Sequence, residues 1–114
     1  MRGLLLLALV AFPSLVAAQP NEPDIPYFDV DAACARDNNA QGRRICVELE
    51  QSAYNRLKRV WPTASVSARN KALVNSASAL KSKSYYEVLA MLLDTALRVE
   101  ELQRPPPPAP TFQR

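Results

Sequence analysis

The two cysteines of this chain, Cys34 and Cys46, follow an N-terminal segment with the composition of an export signal. Arg2 supplies a positive start, residues 4–12 form an unbroken apolar run, and Val16-Ala17-Ala18 offers the small residues that a signal peptidase reads. We therefore predict a signal peptide over 1–18, cleaved after Ala18, and a periplasmic or secreted protein. The apolar run is well short of the roughly 20 residues of a membrane-spanning helix, so we expect no transmembrane span after cleavage.

In an oxidising compartment a cysteine pair is expected to close into a disulfide. The alternatives are intermolecular pairing or free thiols, and redox or metal chemistry. Redox pairs usually have two residues between the cysteines, and a metal site needs further ligands, whereas this chain has no histidine and no third cysteine. We favour a structural Cys34–Cys46 disulfide, which would stabilise a loop of about 13 residues by roughly 3 kcal/mol.

Apolar residues recur at helical spacing, and no stretch alternates well enough to predict a sheet. We expect an all-α fold, a small bundle of three to four short helices stapled by one disulfide. The predicted helices are 32–36, capped by Asp29 or Asp31; 41 or 43 to 60 or 61, ended by Pro62; 65–80, capped by Ser65 or Ser67; and 84–103, with Ser84 and Glu87 as a capping box. An extended Pro-rich leader (19–30) precedes this helical domain (31–103), and a Pro-rich tail (104–114) follows it, as polyproline II or disordered chain.

Two packing details follow from the same spacing. The long helix should bury one stripe that includes Ile45, Leu49, Leu57 and Trp61. On the last helix, Asp94 and Arg98 are four residues apart and should pair on the solvent side.

The composition argues against catalysis. Without histidine the chain lacks the commonest general base and zinc ligand, and its two glycines form no phosphate-binding loop. Its carboxylate pairs, 48/50, 100/101 and 29/31, fit solvation or helix capping better than acid–base catalysis. We predict no enzyme, no catalytic residue, no metal and no cofactor, with a hydrolase that uses Asp or Glu alone as the minor alternative.

The charge pattern argues against nucleic-acid binding. The net charge is +3, and removal of Arg2 with the signal leaves about +2. Basic residues are interleaved with acidic ones rather than gathered into a stripe, so we expect no nucleic-acid partner.

Four residues at the end of the long helix are possible partner contacts: Arg56, Lys58, Arg59 and Trp61. The basic trio is more typical of a solvated helix end beside the negative end of the dipole, and the tryptophan of a plug at the core rim. The Pro-rich tail is either a passive spacer or a ligand for an aromatic groove on a partner. The oligomeric state stays open.

Parts of the sequence resemble known exported proteins, which narrows the range of possible folds and functions. The leader Pro26-Tyr27-Phe28-Asp29, the short cysteine helix and the stretch from Cys46 through Glu50-Gln51 to Ala53-Tyr54 resemble a group of small exported cysteine-helix proteins of alphaproteobacteria. That group often has a second cysteine pair, whose places Ala72 and Met91 take in this chain. The resemblance implies that apolar packing replaces a second disulfide here.

Residues 28–57 are also similar to the cysteine-helix unit of the LprI-type lysozyme inhibitor family, with Phe28-Asp29 ahead of the first cysteine and Ile45-Cys46 at the head of a helix. The chain departs from that family where Ser52 or Ala53 stands near its usual aspartate. The similarity implies a non-enzymatic binding or inhibitor-like module for an envelope protein, such as a lysozyme-like enzyme. The alternative function is a structural or scaffold component of the envelope whose Pro-rich tail acts as spacer or partner ligand.

Overall fold

The computed structural model describes residues 23–114, and the predicted signal peptide and the first residues of the leader lie outside this range. The described chain is all-helical and contains no strand, which confirms the predicted fold class. The helices are α1 (Val30–Cys34), α2 (Ala40–Val60), α3 (Val66–Ser76) and α4 (Tyr86–Gln103), with 3₁₀ turns at Trp61–Thr63 and Ala77–Lys81. No helix among these residues is both long and apolar enough to cross a bilayer.

The helix starts follow the polar residues that precede them. Asp29 caps α1 by accepting from the Ala32 amide, and Ser65 caps α3 by accepting from the Ala68 amide. Asn39 caps α2 in the same way by accepting from the Gly42 amide, so the helix begins at Ala40, slightly before the predicted start at 41 or 43. The third helix ends earlier than predicted, because the chain tightens into a 3₁₀ turn from Ala77.

Helix α4 is the centre of the fold and packs against both α2 and α3, which have little direct contact with each other. Helices α2 and α4 run parallel, as shown by the contacts of Glu50 with Tyr86 and of Arg56 with Asp94. Contacts of Ser65 with Glu100 make α3 antiparallel to α4. The core therefore lies along α4, and its members are Phe28, Ala33, Leu57, Trp61, Ala64, Ala68, Ala72, Tyr85, Tyr86, Leu89, Ala90 and Leu93.

The predicted stripe of α2 is only partly buried. Leu57 and Trp61 are core residues, but Ile45 is 44% exposed and Leu49 is 49% exposed. Both side chains lie at the edge of the contact between α2 and α4, near Glu87 at the start of α4, and α4 does not cover them. The prediction that Ile45 and Leu49 belong to the core was wrong.

Pro23, the first described residue of the leader, and the start of the tail lie at the same end of the helical domain. The Pro23 carbonyl accepts from the indole N–H of Trp61, which follows the last residue of α2. Because α2 and α4 are parallel, that end of α2 lies beside the carboxyl end of α4, where Gln103 is the last helical residue. Residues 104–114 are exposed and have no regular secondary structure.

Candidate functional site

The Glu50 carboxylate is buried where α2 meets the start of α4. Its side chain is 1% exposed and accepts hydrogen bonds from the backbone N–H groups of Tyr85 (3.1 Å), Tyr86 (2.7 Å) and Glu87 (3.1 Å). These donors are the orphan N–H groups that every helix leaves at its amino end, where the dipole also favours negative charge. Glu50 therefore caps a helix that lies 35 residues further along the chain.

This arrangement corrects the predicted capping box. Ser84 and Glu87 do interact, but side chain to side chain, with the Ser84 hydroxyl 2.7 Å from a Glu87 carboxylate oxygen. The same hydroxyl lies 3.1 Å from Glu50. A capping box would satisfy the Glu87 and Ser84 amides, but the first donates to Glu50 and the second to the Ser82 hydroxyl. The Glu50 carboxylate, rather than the Ser84 side chain, therefore caps α4.

The disulfide lies one turn before Glu50 on α2. Cys34 and Cys46 are bonded, with their Cα atoms 5.6 Å apart, which confirms the predicted staple between α1 and α2. In the loop that it closes, Asp37 accepts from the Lys83 ammonium at 2.5 Å. The disulfide, this ion pair and Glu50 together fix the amino end of α4 against α2.

A second feature is an open groove of about 460 Å³ between α2 and α4, which we call the α2–α4 groove. Each helix contributes a stripe with the same spacing. Ala90 is buried and Ala53 is partly buried, so these two small side chains form the floor. Leu49 and Met91 are well exposed there, and Ile45 lies just beyond them along α2. The lining residues are Leu49, Ser52, Ala53 and Arg56 from α2 and Glu87, Ala90, Met91, Asp94 and Thr95 from α4.

An ion pair spans this groove. Asp94 accepts a hydrogen bond from the Arg56 guanidinium, so the predicted pairing of Asp94 with Arg98 on α4 was wrong. The parallel packing of α2 places Arg56 opposite Asp94, and a bond between neighbouring helices replaces one within a helix. The charged lining residues of the groove are thus two acidic and one basic.

A third feature is the aromatic site that holds the leader, formed by Trp61, Tyr85 and Tyr86; we call it the leader site. The Tyr86 hydroxyl accepts from the Phe28 amide and donates to the Pro26 carbonyl, both at 3.0 Å. The Phe28 ring packs 5.4 Å from the Tyr85 ring and 5.8 Å from the Tyr86 ring, between centroids. Burial raises the pKa of the Tyr86 phenol above its ordinary value of 10.0.

The four predicted partner contacts fall in different places. Arg56 lines the groove, while the Lys58 ammonium lies 4.9 Å from the centre of the Tyr54 ring and Arg59 is exposed. Trp61 is buried and hydrogen-bonded to the leader, so its ring is a core residue. The structure therefore does not bring the four residues together into one patch.

Nothing within residues 23–114 is arranged for metal binding, since no group of three or more Asp, Glu or Cys side chains could hold an ion there. Glu50 is the one buried carboxylate of these residues, and its oxygens are occupied by backbone amides and Ser84. Its partner in the sequence pair, Glu48, points to solvent beside Arg44.

Sequence reasoning missed Glu50 and the groove. A glutamate two residues from another glutamate on a helix is typical of a solvated surface, and its partners lie 35 to 37 positions away.

Comparison of this chain with protein-family models, with curated proteins and with solved structures found no match.

Proposed function

We propose that this chain is an exported, non-enzymatic binding module for an envelope protein, and that the α2–α4 groove is its contact surface. The observation that carries the proposal is the exposure of large apolar side chains around a floor of small ones. Leu49 is 49% exposed and Met91 is 60% exposed, and both line the same groove. Aliphatic and thioether side chains gathered in a concave surface are typical of protein contacts.

The charges of the groove favour a cationic partner. Glu87 and Asp94 outnumber Arg56 among the lining residues, although the whole chain is basic. Complementary potentials steer association and select partners. A cationic muramidase of the lysozyme type has this character, and the similarity of residues 28–57 to the LprI-type inhibitors points to the same class of partner.

The first experiment measures lysozyme activity on suspended cell walls by turbidity, with purified mature protein added. We expect protection at micromolar protein, and we expect Leu49→Lys to remove it because a charge would enter the apolar wall. Val74→Lys is the matched control, since Val74 is 75% exposed on α3 and lies outside the groove. No protection at large molar excess, or equal loss in both variants, would rule out inhibition through this groove.

The wider proposal is tested by crosslinking the tagged protein in its native envelope. A partner that is recovered with wild type and with Val74→Lys, but not with Leu49→Lys, supports binding through the groove. Recovery that is indifferent to Leu49→Lys contradicts it.

The exposed tail supports a second candidate function, that of an envelope scaffold whose Pro-rich tail contacts or spaces a partner. Residues 104–114 are exposed along their whole length, so they are accessible to a partner. Deletion of residues 105–114 should then abolish partner recovery while the groove variants keep it. Unchanged recovery after the deletion counts against the scaffold.

A further inference from the structure

The leader is bound as a peptide would be, through its backbone and one anchor. The Pro23 carbonyl accepts from the Trp61 indole at 2.9 Å, and the Pro26 carbonyl accepts from the Tyr86 hydroxyl at 3.0 Å. Two residues further on, the Phe28 ring is 9% exposed. The pattern held by the leader site is thus Pro-x-x-Pro-x-Phe.

Of the other side chains of this segment, Ile25 is partly buried against the core. Tyr27 is 85% exposed, and Asp24 is exposed as well. The two bound carbonyls are three residues apart, which is the period of a polyproline II helix, and aromatic-lined grooves are the usual binding sites of proline-rich segments. The leader site therefore recognises a backbone shape and an aromatic anchor, with a smaller apolar contact at the position of Ile25.

The tail contains the same pattern. Pro107, Pro110 and Phe112 have the spacing of Pro23, Pro26 and Phe28. In the tail this anchor is free, since Phe112 is 89% exposed. We propose that the leader site also binds residues 107–112 from the tail of a second copy of this chain, in exchange for the leader.

A second copy fits better than the same chain. The tail leaves α4 at the end of the domain where Pro23 is bound, so docking onto its own leader site would require a sharp reversal within residues 104–106. Arg104 is already extended, with φ −67° and ψ 131°, and four consecutive prolines follow. Such a run is a semi-rigid polyproline II spacer, which carries Phe112 away from its own domain and towards a neighbour.

The leader competes with this exchange, because it is tethered beside the site at an effective concentration in the millimolar range. Removing its anchor should shift the balance. Phe28→Ala keeps both leader prolines and removes the ring, while the tail still offers Phe112. Binding of the tail at the leader site can then be followed by tryptophan fluorescence. Trp61 is the only tryptophan of the chain and is itself a hydrogen-bond donor of the leader site.

The first test adds a synthetic peptide of residues 105–114 to the full Phe28→Ala chain and records Trp61 fluorescence. We expect a saturable change, and about tenfold weaker binding for the same peptide with Phe112→Ala, from the lost burial of one aromatic ring. An unchanged spectrum at millimolar peptide, or equal binding of both peptides, would overturn the proposal.

The second test measures the mass of the intact chain by sedimentation. Phe28→Ala should form dimers or larger species at high micromolar concentration, and Phe28→Ala with Phe112→Ala should return to monomer. Association that survives the second change, or none in the first variant, contradicts exchange through the tail. Far-UV circular dichroism checks the fold, and if Phe28→Ala loses its helices, Phe28→Leu takes its place in both tests with the same expected direction.

These experiments are independent of the α2–α4 groove, which shares no lining residue with the leader site. Loss of lysozyme inhibition or of an envelope partner would therefore leave this inference untouched, and failure of tail exchange would leave the proposed function untouched.

Discussion

Replacement of Glu50 by glutamine tests whether one buried carboxylate holds α4 in place. The substitution preserves the shape of the side chain but puts an amide NH₂ where one carboxylate oxygen accepts from the Tyr85 and Tyr86 amides. Donors then face donors, unless the amide turns over so that its NH₂ meets the Glu87 amide and the Ser84 hydroxyl. The hydroxyl can accept from that NH₂, so the better orientation leaves one backbone N–H, that of Glu87, without its acceptor.

The expected cost is large for a domain of this size. A buried backbone N–H without an acceptor costs about 1–3 kcal/mol, and a negative charge at a helix start contributes about 0.3–1 kcal/mol. One orphan amide and the lost charge give a decrease of about 1–4 kcal/mol in the free energy of unfolding. Small domains are stable by about 5–15 kcal/mol in total, so Glu50→Gln should remove a substantial fraction.

The assay is urea unfolding followed by circular dichroism at 222 nm, supported by thermal melts. A loss of this size corresponds to a melting temperature lower by about 5–30 °C, at roughly 4–8 °C per kcal/mol for a domain of this length. Glu48→Gln is the matched control on the same helix, because its carboxylate is exposed beside Arg44, and it should change stability by less than about 0.5 kcal/mol. Equal, small effects of the two substitutions would refute the assignment of Glu50 as the cap of α4.

Three further predictions concern the Tyr86 hydroxyl and the Cys34–Cys46 disulfide. Tyr86→Phe should cost about 1–2 kcal/mol and speed proteolysis of the leader, because it removes both hydrogen bonds of the hydroxyl; an unchanged cleavage rate argues against that role. Since the folded pKa of Tyr86 is raised above 10.0, the unfolded state loses the proton first, so stability should fall as the pH rises above about 10, and less steeply in Tyr86→Phe; parallel curves would exclude a contribution from this phenol. Cys34→Ala with Cys46→Ala should lower stability by roughly 3 kcal/mol and abolish the effect of reductant on the urea midpoint, whereas a midpoint equal to that of the oxidised wild type would contradict a stabilising disulfide.

The parts of the fold that sequence could predict are those whose causes are local. Pro62 follows the end of α2 by two residues, Ser65 caps α3, and the spacing of apolar residues along α4 predicts a helix with a broad buried face. The disulfide was predicted from the expected export of the chain and from the presence of one cysteine pair. Each of these arguments needs only neighbouring residues or the composition.

What sequence could not predict depends on how the helices meet. Whether Leu49 is a core residue or lines the groove depends on how α4 packs against α2. No residue near Leu49 in the sequence indicates that packing. The capping role of Glu50 and the Arg56–Asp94 pair have the same origin, since both need the parallel alignment of two helices that α3 separates along the chain. For this reason the α2–α4 groove could not be predicted from the sequence.

Pro23, the first described residue, and the start of the tail lie at one pole of the domain, which has a practical consequence for labelling and fusion. Pro23 and Gln103 both lie near the pole marked by Trp61, while Cys34, Cys46 and the start of α4 form the opposite pole. A fluorescent protein or affinity handle joined to the carboxyl terminus would therefore stand clear of the disulfide pole, at the end of a semi-rigid proline spacer. A circular permutant could join residues 23 and 103 by a short linker and open the chain in the exposed 81–83 connection. We expect it to preserve all four helices, so the bundle could serve as a scaffold for displaying inserted peptides.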